Sequence, residues 1–469
     1  MKSKFVKRSS SKRLIQIFAG WGMDWRPFAK ITHPGYDILV IWDYRQLTFN
    51  WKPLFRYEEI CLIAWSMGVF VASVTMHEIS PRVTMRIAVN GTLTPIDDAL
   101  GISPAVWRGT LNALSPTTWR KFQRRMCDSQ AQYAEFSQNS PKRTMEDLKE
   151  ELEALEIHTI FHVEQISDWD MAVISRHDAI FPTDNQLAAW QNTAPVRILE
   201  AGHLPDFQQL IQRLIIDKNR VGECFLNARS TYAENALVQR EIAQRLMQEF
   251  DKVYGEDRIV GNIIEIGPGA DGFLTFLWIR RIDPRAKTRL WDLVDVAPAE
   301  PLPPNIEYEV CDAEIRIKRQ PSDSVGFIFS SSTVQWFNSL RDFLTECQRV
   351  LVPGGYLILS SFVHGNLQEI TSITGNGLQL PTLSGWRKIV PSDMEILVCE
   401  EDMYRLSFDS PREALQHFRN TGVNGVVYGQ SSVVLARKLL ENYPLGLDTQ
   451  KYDVTYRPVF LIARRKEVQ

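Results

Sequence analysis

The sequence predicts two α/β domains in tandem, each built on a mostly parallel sheet with helices on both faces. Three observations lead there. Four short apolar runs in the first ninety residues alternate with helical or turn segments. A second series of apolar runs begins at Ile263 and follows its first strand with a glycine-rich loop. The length, 469 residues, is enough for two or three cores. A composition of 44% hydrophobic and 23% charged residues with net charge −3 is ordinary for globular chains and carries no basic excess for nucleic acid. The six cysteines form no CxxC pair and read as thiols of a reducing compartment. The basic start MKSKFVKRSSSKR is followed by LIQIFAGWG, too short an apolar run for a signal peptide or a membrane span. The expectation is a soluble, cytoplasmic protein with no membrane partner, and its oligomeric state is not legible.

Arg13 to Gly20, Asp37 to Trp42, Ile60 to Trp65 and Thr84 to Asn90 are the strands of the first sheet. The third leads into AWSMG, where Ser66 stands between a strand and the helical stretch Met67 to Ile79. A strained strand-to-helix turn lifts such a hydroxyl clear of the sheet, and the helix N-terminus favours a developing oxyanion. Ala64 stands where this motif more often has glycine, and an ordinary serine N-cap is the competing reading. Asp168 to Ser175 is a late strand with Asp178 just after it, and Val196 to Glu200 is the next, with His203 just after that. Serine, acid, histidine is the chain order of the α/β-hydrolase triad. The roles follow: Ser66 is the nucleophile, His203 the proton carrier and Asp178 its orienting partner. Backbone N–H groups of Trp21, in the GWG turn, and Met67 are the expected oxyanion hole.

Between residues 95 and about 167 the pattern is helical, in the place where hydrolases of this class insert a lid. There TTWRKFQRRM carries Arg120, Lys121, Arg124 and Arg125 at helical spacing beside Trp119, Phe122 and Met126. A charged helix face is usually only solvated, but a basic lid would suit an acidic carrier that delivers a tethered acyl chain. His158 and His162 have metal-pair spacing without an acidic partner in the motif, and no metal is expected.

FAGWGMD, WDYR, AWSMG, VNGTLTPID, RHDAIFP with NQLAAW, and AGHLPDF resemble the pimeloyl-acyl-carrier-protein methyl ester esterase family of biotin synthesis, in its branch with a compact lid. The likeness spans about residues 13 to 215. It implies cleavage of a methyl ester on a carrier-bound C7 diacid.

The second half begins at DKNR, Asp217 to Arg220, which joins the halves without a flexible linker. FLNARSTYAENALVQREIAQRLMQEF then reads as a polar turn that becomes an amphipathic helix. In IIEIGPGADG, Ile263 to Ile266 form a strand containing Glu265, and Gly267, Gly269 and Gly272 let the backbone approach a ligand. Lys287 to Asp292 is the next strand, ending on Asp292, the preferred ribose-binding carboxylate over nearby Asp295. Asp312 and Ala313 mark a third strand end in YEVCDAE, and QRVLVPGGYLILSSF reads as helix, Pro-Gly-Gly turn and strand. This order favours a Rossmann-like class I methyltransferase using S-adenosyl-L-methionine over a dehydrogenase. Its cofactor residues are expected to be Glu265, Gly267, Gly269, Asp292, Asp312 and Ala313.

NARSTY, CDAE, SSTVQWFNSL, the QRVLVPGGYLILSSF run, GNLQEI and SPREALQHFRNTGVNGV resemble malonyl-acyl-carrier-protein O-methyltransferase over about residues 220 to 465, with Pro268 and Ala270 as departures. The two resemblances imply one chain that methylates the free carboxylate of malonyl-acyl-carrier protein and hydrolyses the methyl ester of pimeloyl-acyl-carrier protein. Its domains would be 1 to 216 and 217 to 469. Tyr232, Gln335 and Trp336 are candidates for positioning the methyl acceptor. Two other readings stand beside this one: a non-catalytic first domain that binds the carrier or dimerises, and two enzymes acting on unrelated small molecules.

Overall fold

The computed structural model describes residues 1–161, 168–254, 261–279, 281–282, 285–296, 302–374, 377–423 and 432–467, and the chain divides into two compact units, Met1–Ile211 and Gln212–Gln469. Both are α/β.

The first unit holds a seven-stranded sheet of β1 (Lys2–Lys7), β2 (Arg13–Phe18), β3 (Tyr36–Trp42), β4 (Glu59–Trp65), β5 (Val83–Val89), β6 (Met171–Ser175) and β7 (Val196–Leu199), in the order β1-β3-β2-β4-β5-β6-β7. All neighbours run parallel except β1, which lies antiparallel to β3. Strands β3 and β4 are buried at every position, which is why they read as continuous apolar runs. The sequence reading missed β1. Its KSKFVK has three lysines and sits at the sheet edge, where lysines discourage pairing with another chain.

Between β5 and β6 come four helices, Pro104–Asn112, Pro116–Met126, Gln130–Gln138 and Met145–Phe161. Ser115 and Ser129 cap the second and third through their hydroxyls. His162 lies outside the described residues. Among the described residues no cluster of three metal-ligating side chains occurs, and no helix is long and apolar enough to cross a membrane.

The second unit holds β8 (Asn262–Ile266), β9 (Thr288–Asp292), β10 (Ile306–Val310), β11 (Val325–Ser331), β12 (Leu351–Phe362), β13 (Met394–Glu401), β14 (Tyr404–Phe408), β15 (Tyr452–Tyr456) and β16 (Pro458–Arg465). Seven of them form one sheet, ordered β10-β9-β8-β11-β12-β16-β13, while β14 and β15 pair separately. The strands from β10 to β12 are parallel, and β16 runs antiparallel to both β12 and β13. Side chains alternate between two cores: Phe327 and Phe329 pack with Leu246 and Phe250 on one face, Ile328 with Ile264 and Leu357 on the other. The strand order reverses between β8 and β11, and at such a switch point the loops part to leave a crevice.

Two local expectations are corrected. DKNR and the polar segment after it are helical: Asp217 caps a helix over Lys218–Asn235, accepting the N–H groups of Asn219 and Arg220, and a second helix spans Leu237–Val253. The first helix escaped the periodicity reading because it buries so few apolar side chains, Val221 and Ala228. The Pro-Gly-Gly segment does not precede its strand but interrupts it. Register jumps from Val325 opposite Leu351 to Phe327 opposite Tyr356, with Gly354 at φ 81° making the bulge.

Candidate active sites

In the first unit Ser66, Asp178 and His203 all follow C-terminal strand ends, after β4, β6 and β7. Ser66 has φ 59° and ψ −128°, a strained backbone for a residue with a side chain, and its hydroxyl makes no helix-capping bond. The serine N-cap reading therefore does not fit. The hydroxyl instead lies 3.0 Å from His203 Nε2, and His203 Nδ1 lies 2.9 Å from Asp178 Oδ2. The turn depends on Gly68, where an added Cβ would come within 2.5 Å of the Phe18 carbonyl oxygen. Ala64 is fully buried in β4, so the small side chain there is accommodated.

The acid is held by the main chain: Asp178 Oδ1 accepts the N–H groups of Ile180 at 2.8 Å and Phe181 at 2.9 Å, and Oδ2 accepts Gln186 Nε2 at 3.1 Å. The His203 ring is stacked on Phe181, and its carbonyl accepts Trp65 Nε1 and Asn90 Nδ2, each at 2.8 Å. Asn90, at φ 45°, also accepts the Ser175 N–H, so one side chain ties the ends of β5 and β6 to the histidine loop. Asn90 and Gln186 were not singled out from sequence; the positive φ of Asn90 is invisible there. The Trp21 indole donates to the Leu148 carbonyl at 3.0 Å and meets Trp119 and Phe122 edge-on. Met67 is the first residue of the helix after Ser66. Ser66 itself is only 5% exposed.

In the second unit the loop after β8 carries Gly267 and Gly269 at φ 67° and 71°. A Cβ on Gly267 would meet Thr333 Oγ1 at 2.2 Å, so only glycine lets the two loops at the switch point touch. Gly267, Gly269, Asp292, Asp312 and Ala313 line one crevice together with Lys218, Tyr232 and Trp336. Glu265 does not line it. Its fully buried carboxylate lies behind the loop, where Oε2 accepts Thr275 Oγ1 at 2.6 Å and Trp278 Nε1 at 2.7 Å while Oε1 has no partner. Asp295 is exposed, whereas Asp292 faces the crevice and accepts the Val294 N–H at 3.2 Å.

Burial opposes the ionisation of both acids. It pushes Glu265 up to about 7, against the bonds from Thr275 and Trp278, and Asp292 up to about 6, against backbone N–H groups that include Gly269. Asp312 caps the short helix Ala313–Arg316 and is braced by Lys218, whose ammonium lies 3.3 Å from Asp312 and 2.6 Å from Glu314. Lys218 is a site residue that sequence reading missed, because DKNR passed for a linker.

A second cavity of about 370 Å³ shares Phe225, Tyr232, Ser332 and Trp336 with the crevice and is lined mainly by apolar side chains such as Phe362, Leu378 and Leu439. Ser332 Oγ, Gln335 Oε1 and Trp336 Nε1 are buried there without hydrogen-bond partners among the described residues. The crevice suits a nucleoside-bearing cofactor: it offers a glycine-bared backbone, a carboxylate for ribose hydroxyls and apolar walls.

Comparison with known proteins agrees with this division. A family model described as pimeloyl-ACP methyl esterase BioG matches residues 1–212, and a methyltransferase domain model matches residues 265–359. The malonyl-[acyl-carrier protein] O-methyltransferase of Bacteroides fragilis is 32% identical over 97% of this chain and 93% of its own length. The enzyme of the same name from Chlorobium phaeovibrioides is 34% identical over 54% of this chain and 98% of its own. The crystal structure of BioG from Haemophilus influenzae is 34% identical and covers 43% of this chain and 94% of its own, with a TM-score of 0.40. The methyltransferase domain uses S-adenosyl-L-methionine. The chain thus belongs to the malonyl-[acyl-carrier protein] O-methyltransferase family, and its N-terminal half is a BioG-type domain.

Proposed function

We propose that the chain is a bifunctional enzyme that methylates the free carboxylate of malonyl-acyl-carrier protein and hydrolyses the methyl ester of pimeloyl-acyl-carrier protein. Its domains are taken as 1–216 and 217–469, with the helical segment of about 95–167 as the lid of an α/β-hydrolase. The observation that carries the esterase half is the continuous hydrogen-bonded chain from Ser66 through His203 to Asp178, at 3.0 and 2.9 Å, on a strained turn.

In that half Ser66 Oγ attacks the ester carbonyl carbon as its proton passes to His203 Nε2. The oxyanion that forms is received by the N–H groups of Trp21 and Met67. His203 returns the proton to the departing methoxide, releasing methanol, and then activates the water that frees the acid from Ser66. Asp178, fixed by two backbone donors and Gln186, keeps Nδ1 protonated throughout.

In the other half Gly267, Gly269, Asp292, Asp312 and Ala313 hold S-adenosyl-L-methionine, with Glu265 supporting the loop from behind. Bound there, it supplies an electrophilic methyl group. A carboxylate substrate is ionised at neutral pH, its ordinary pKa being about 4, so this half needs no strong base. Tyr232 and Trp336 lie where the crevice meets the second cavity, and the Trp336 N–H and Ser332 hydroxyl are donors without partners. They orient the acceptor and replace its water. The exposed Arg120, Lys121, Arg124 and Arg125 of the lid supply charge complementary to an acidic carrier.

The test uses the purified full chain with pimeloyl-carrier methyl ester and with malonyl-carrier plus cofactor, comparing wild type with Ser66→Ala. Loss of hydrolysis with methylation unchanged is the expected result. Equal hydrolysis by both proteins would overturn the esterase half and leave a methyltransferase with a binding domain.

A further inference from the structure

The expected oxyanion-hole residue Trp21 sits in a loop that the lid holds from two points one turn apart on a single helix. The helix Met145–Phe161 accepts the Trp21 indole N–H at the Leu148 carbonyl, 3.0 Å away, and the Gly22 backbone N–H at Glu151 Oε2, 3.1 Å away. Glu151 Oε1 accepts a third donor, the Tyr44 N–H just beyond β3, at 2.8 Å. Its carboxylate is fully buried, and its counter-charge is Arg143 of the lid, at 3.3 Å, which also reaches Asp43 at 3.4 Å.

A carboxylate is the side chain this place requires. Two backbone N–H groups from two separate strand-end loops converge on it, one per oxygen, and an amide would present an NH₂ to one of them. The peptide joining Trp21 to Gly22 is thereby fixed, with Gly22 at φ 74° and the turn closed by Met23 N–H to the Gly20 carbonyl at 3.3 Å. The neighbouring peptide carries the Trp21 N–H, whose direction depends on that anchor. Burying a carboxylate is costly unless its bonds are used, which argues against a passive spacer.

We infer that Glu151 is a positioning residue of the esterase: by holding the Trp21–Gly22 peptide it assembles the oxyanion hole, so the site is competent only when the lid helix is seated on the loop. The inference rests on the esterase reading above. Glu151 touches no reacting atom; its effect is transmitted through Gly22. It therefore falls on the transition state, where charge reaches the carbonyl oxygen, and leaves binding of the uncharged ester nearly untouched.

The experiment uses full-length wild type, Ser66→Ala, Glu151→Gln and Glu151→Asp, with p-nitrophenyl butyrate as substrate. The inhibitors are n-butylboronic acid, whose serine adduct places a negative oxygen in the hole, and butyramide as an uncharged ground-state ligand. Removing an oxyanion donor costs about 10²- to 10³-fold, so its misplacement in Glu151→Gln is expected to lower kcat about 10- to 100-fold with KM within about threefold. Boronate affinity falls by the same factor as kcat, butyramide affinity does not, and Glu151→Asp, which keeps both oxygens, lies between. A folded Glu151→Gln that keeps the wild-type kcat, or loses boronate and butyramide affinity equally, overturns the inference while Ser66-dependent hydrolysis by the wild type stands. If Glu151→Gln does not fold, a Glu151→Asp variant with unchanged kcat and boronate affinity overturns it. Absence of Ser66-dependent hydrolysis by the wild type of both p-nitrophenyl butyrate and pimeloyl-carrier methyl ester overturns the esterase reading and this inference with it.

Discussion

Two buried acids of the methyltransferase unit face opposite demands. Asp292 lines the crevice and is pushed up to about 6 by burial. As the proposed ribose acceptor it would serve best ionised, so cofactor binding would pull its proton off below that pH. Affinity for S-adenosylhomocysteine is expected to rise from pH 5 to about 7 and then level, and Asp292→Asn should weaken it at least tenfold and flatten the profile; calorimetry across this range checks both. Glu265 lies behind the loop and is pushed up to about 7 by burial, with the nearby Asp271 and Asp292 charges adding to it. A raised carboxylate pKa means the stability it contributes is full below about 4.5, its ordinary value, and is lost as pH climbs through 7. Glu265→Gln should therefore raise the melting temperature of the unliganded chain at pH 8 by several degrees and leave it nearly unchanged at pH 5. The amide oxygen can still accept Thr275 and Trp278. A lower Tm at pH 8 would show that the ionised carboxylate is needed for the loop itself.

At the scale of elements, the basic helix Pro116–Met126 turns Trp119, Gln123 and Met126 inward and leaves Lys121 and Arg125 on the exposed side. Lys121→Glu with Arg125→Glu should raise KM for a carrier-bound ester about tenfold at low salt, less as salt screens the attraction, and leave p-nitrophenyl butyrate turnover unchanged. An equal loss on both substrates would assign the helix to folding rather than docking. The same scale explains what the sequence made legible. Strands β2 to β5 stand out as apolar runs, and Ser66 stands out because it follows one; His203 follows the half-exposed edge strand β7 and is legible through its chain order after Ser66 and Asp178. Strand β1 is hidden by its lysines, and the helix Lys218–Asn235 by the absence of an apolar stripe. Asn90 and Glu151 act on main-chain atoms far away in sequence, so only the folded register reveals their partners, while Gln186 reaches back eight residues to Asp178, a pairing that no periodicity marks. Glu265 was read as a crevice residue because strand-end acids before such loops usually face a ligand; here Thr275 and Trp278 turn it inward.

For the whole molecule, the proposed activities oppose each other on one substrate. If the esterase cleaved malonyl methyl ester, every turn would consume a cofactor, release methanol and return the starting carboxylate. Chain length offers the means of discrimination, since a pimeloyl chain has four more methylenes than malonyl to bury beside Ser66, itself only 5% exposed. At about 0.8 kcal/mol per methylene this amounts to roughly 3 kcal/mol, on the order of a hundredfold preference for the longer ester. Full-length protein incubated with malonyl-carrier and excess cofactor should then form about one S-adenosylhomocysteine per carrier and stop, with Ser66→Ala giving the same ratio. A wild-type ratio that climbs well past one, and returns to one in Ser66→Ala, would mean that the lid does not sort by length and that the two halves of the chain cycle against each other.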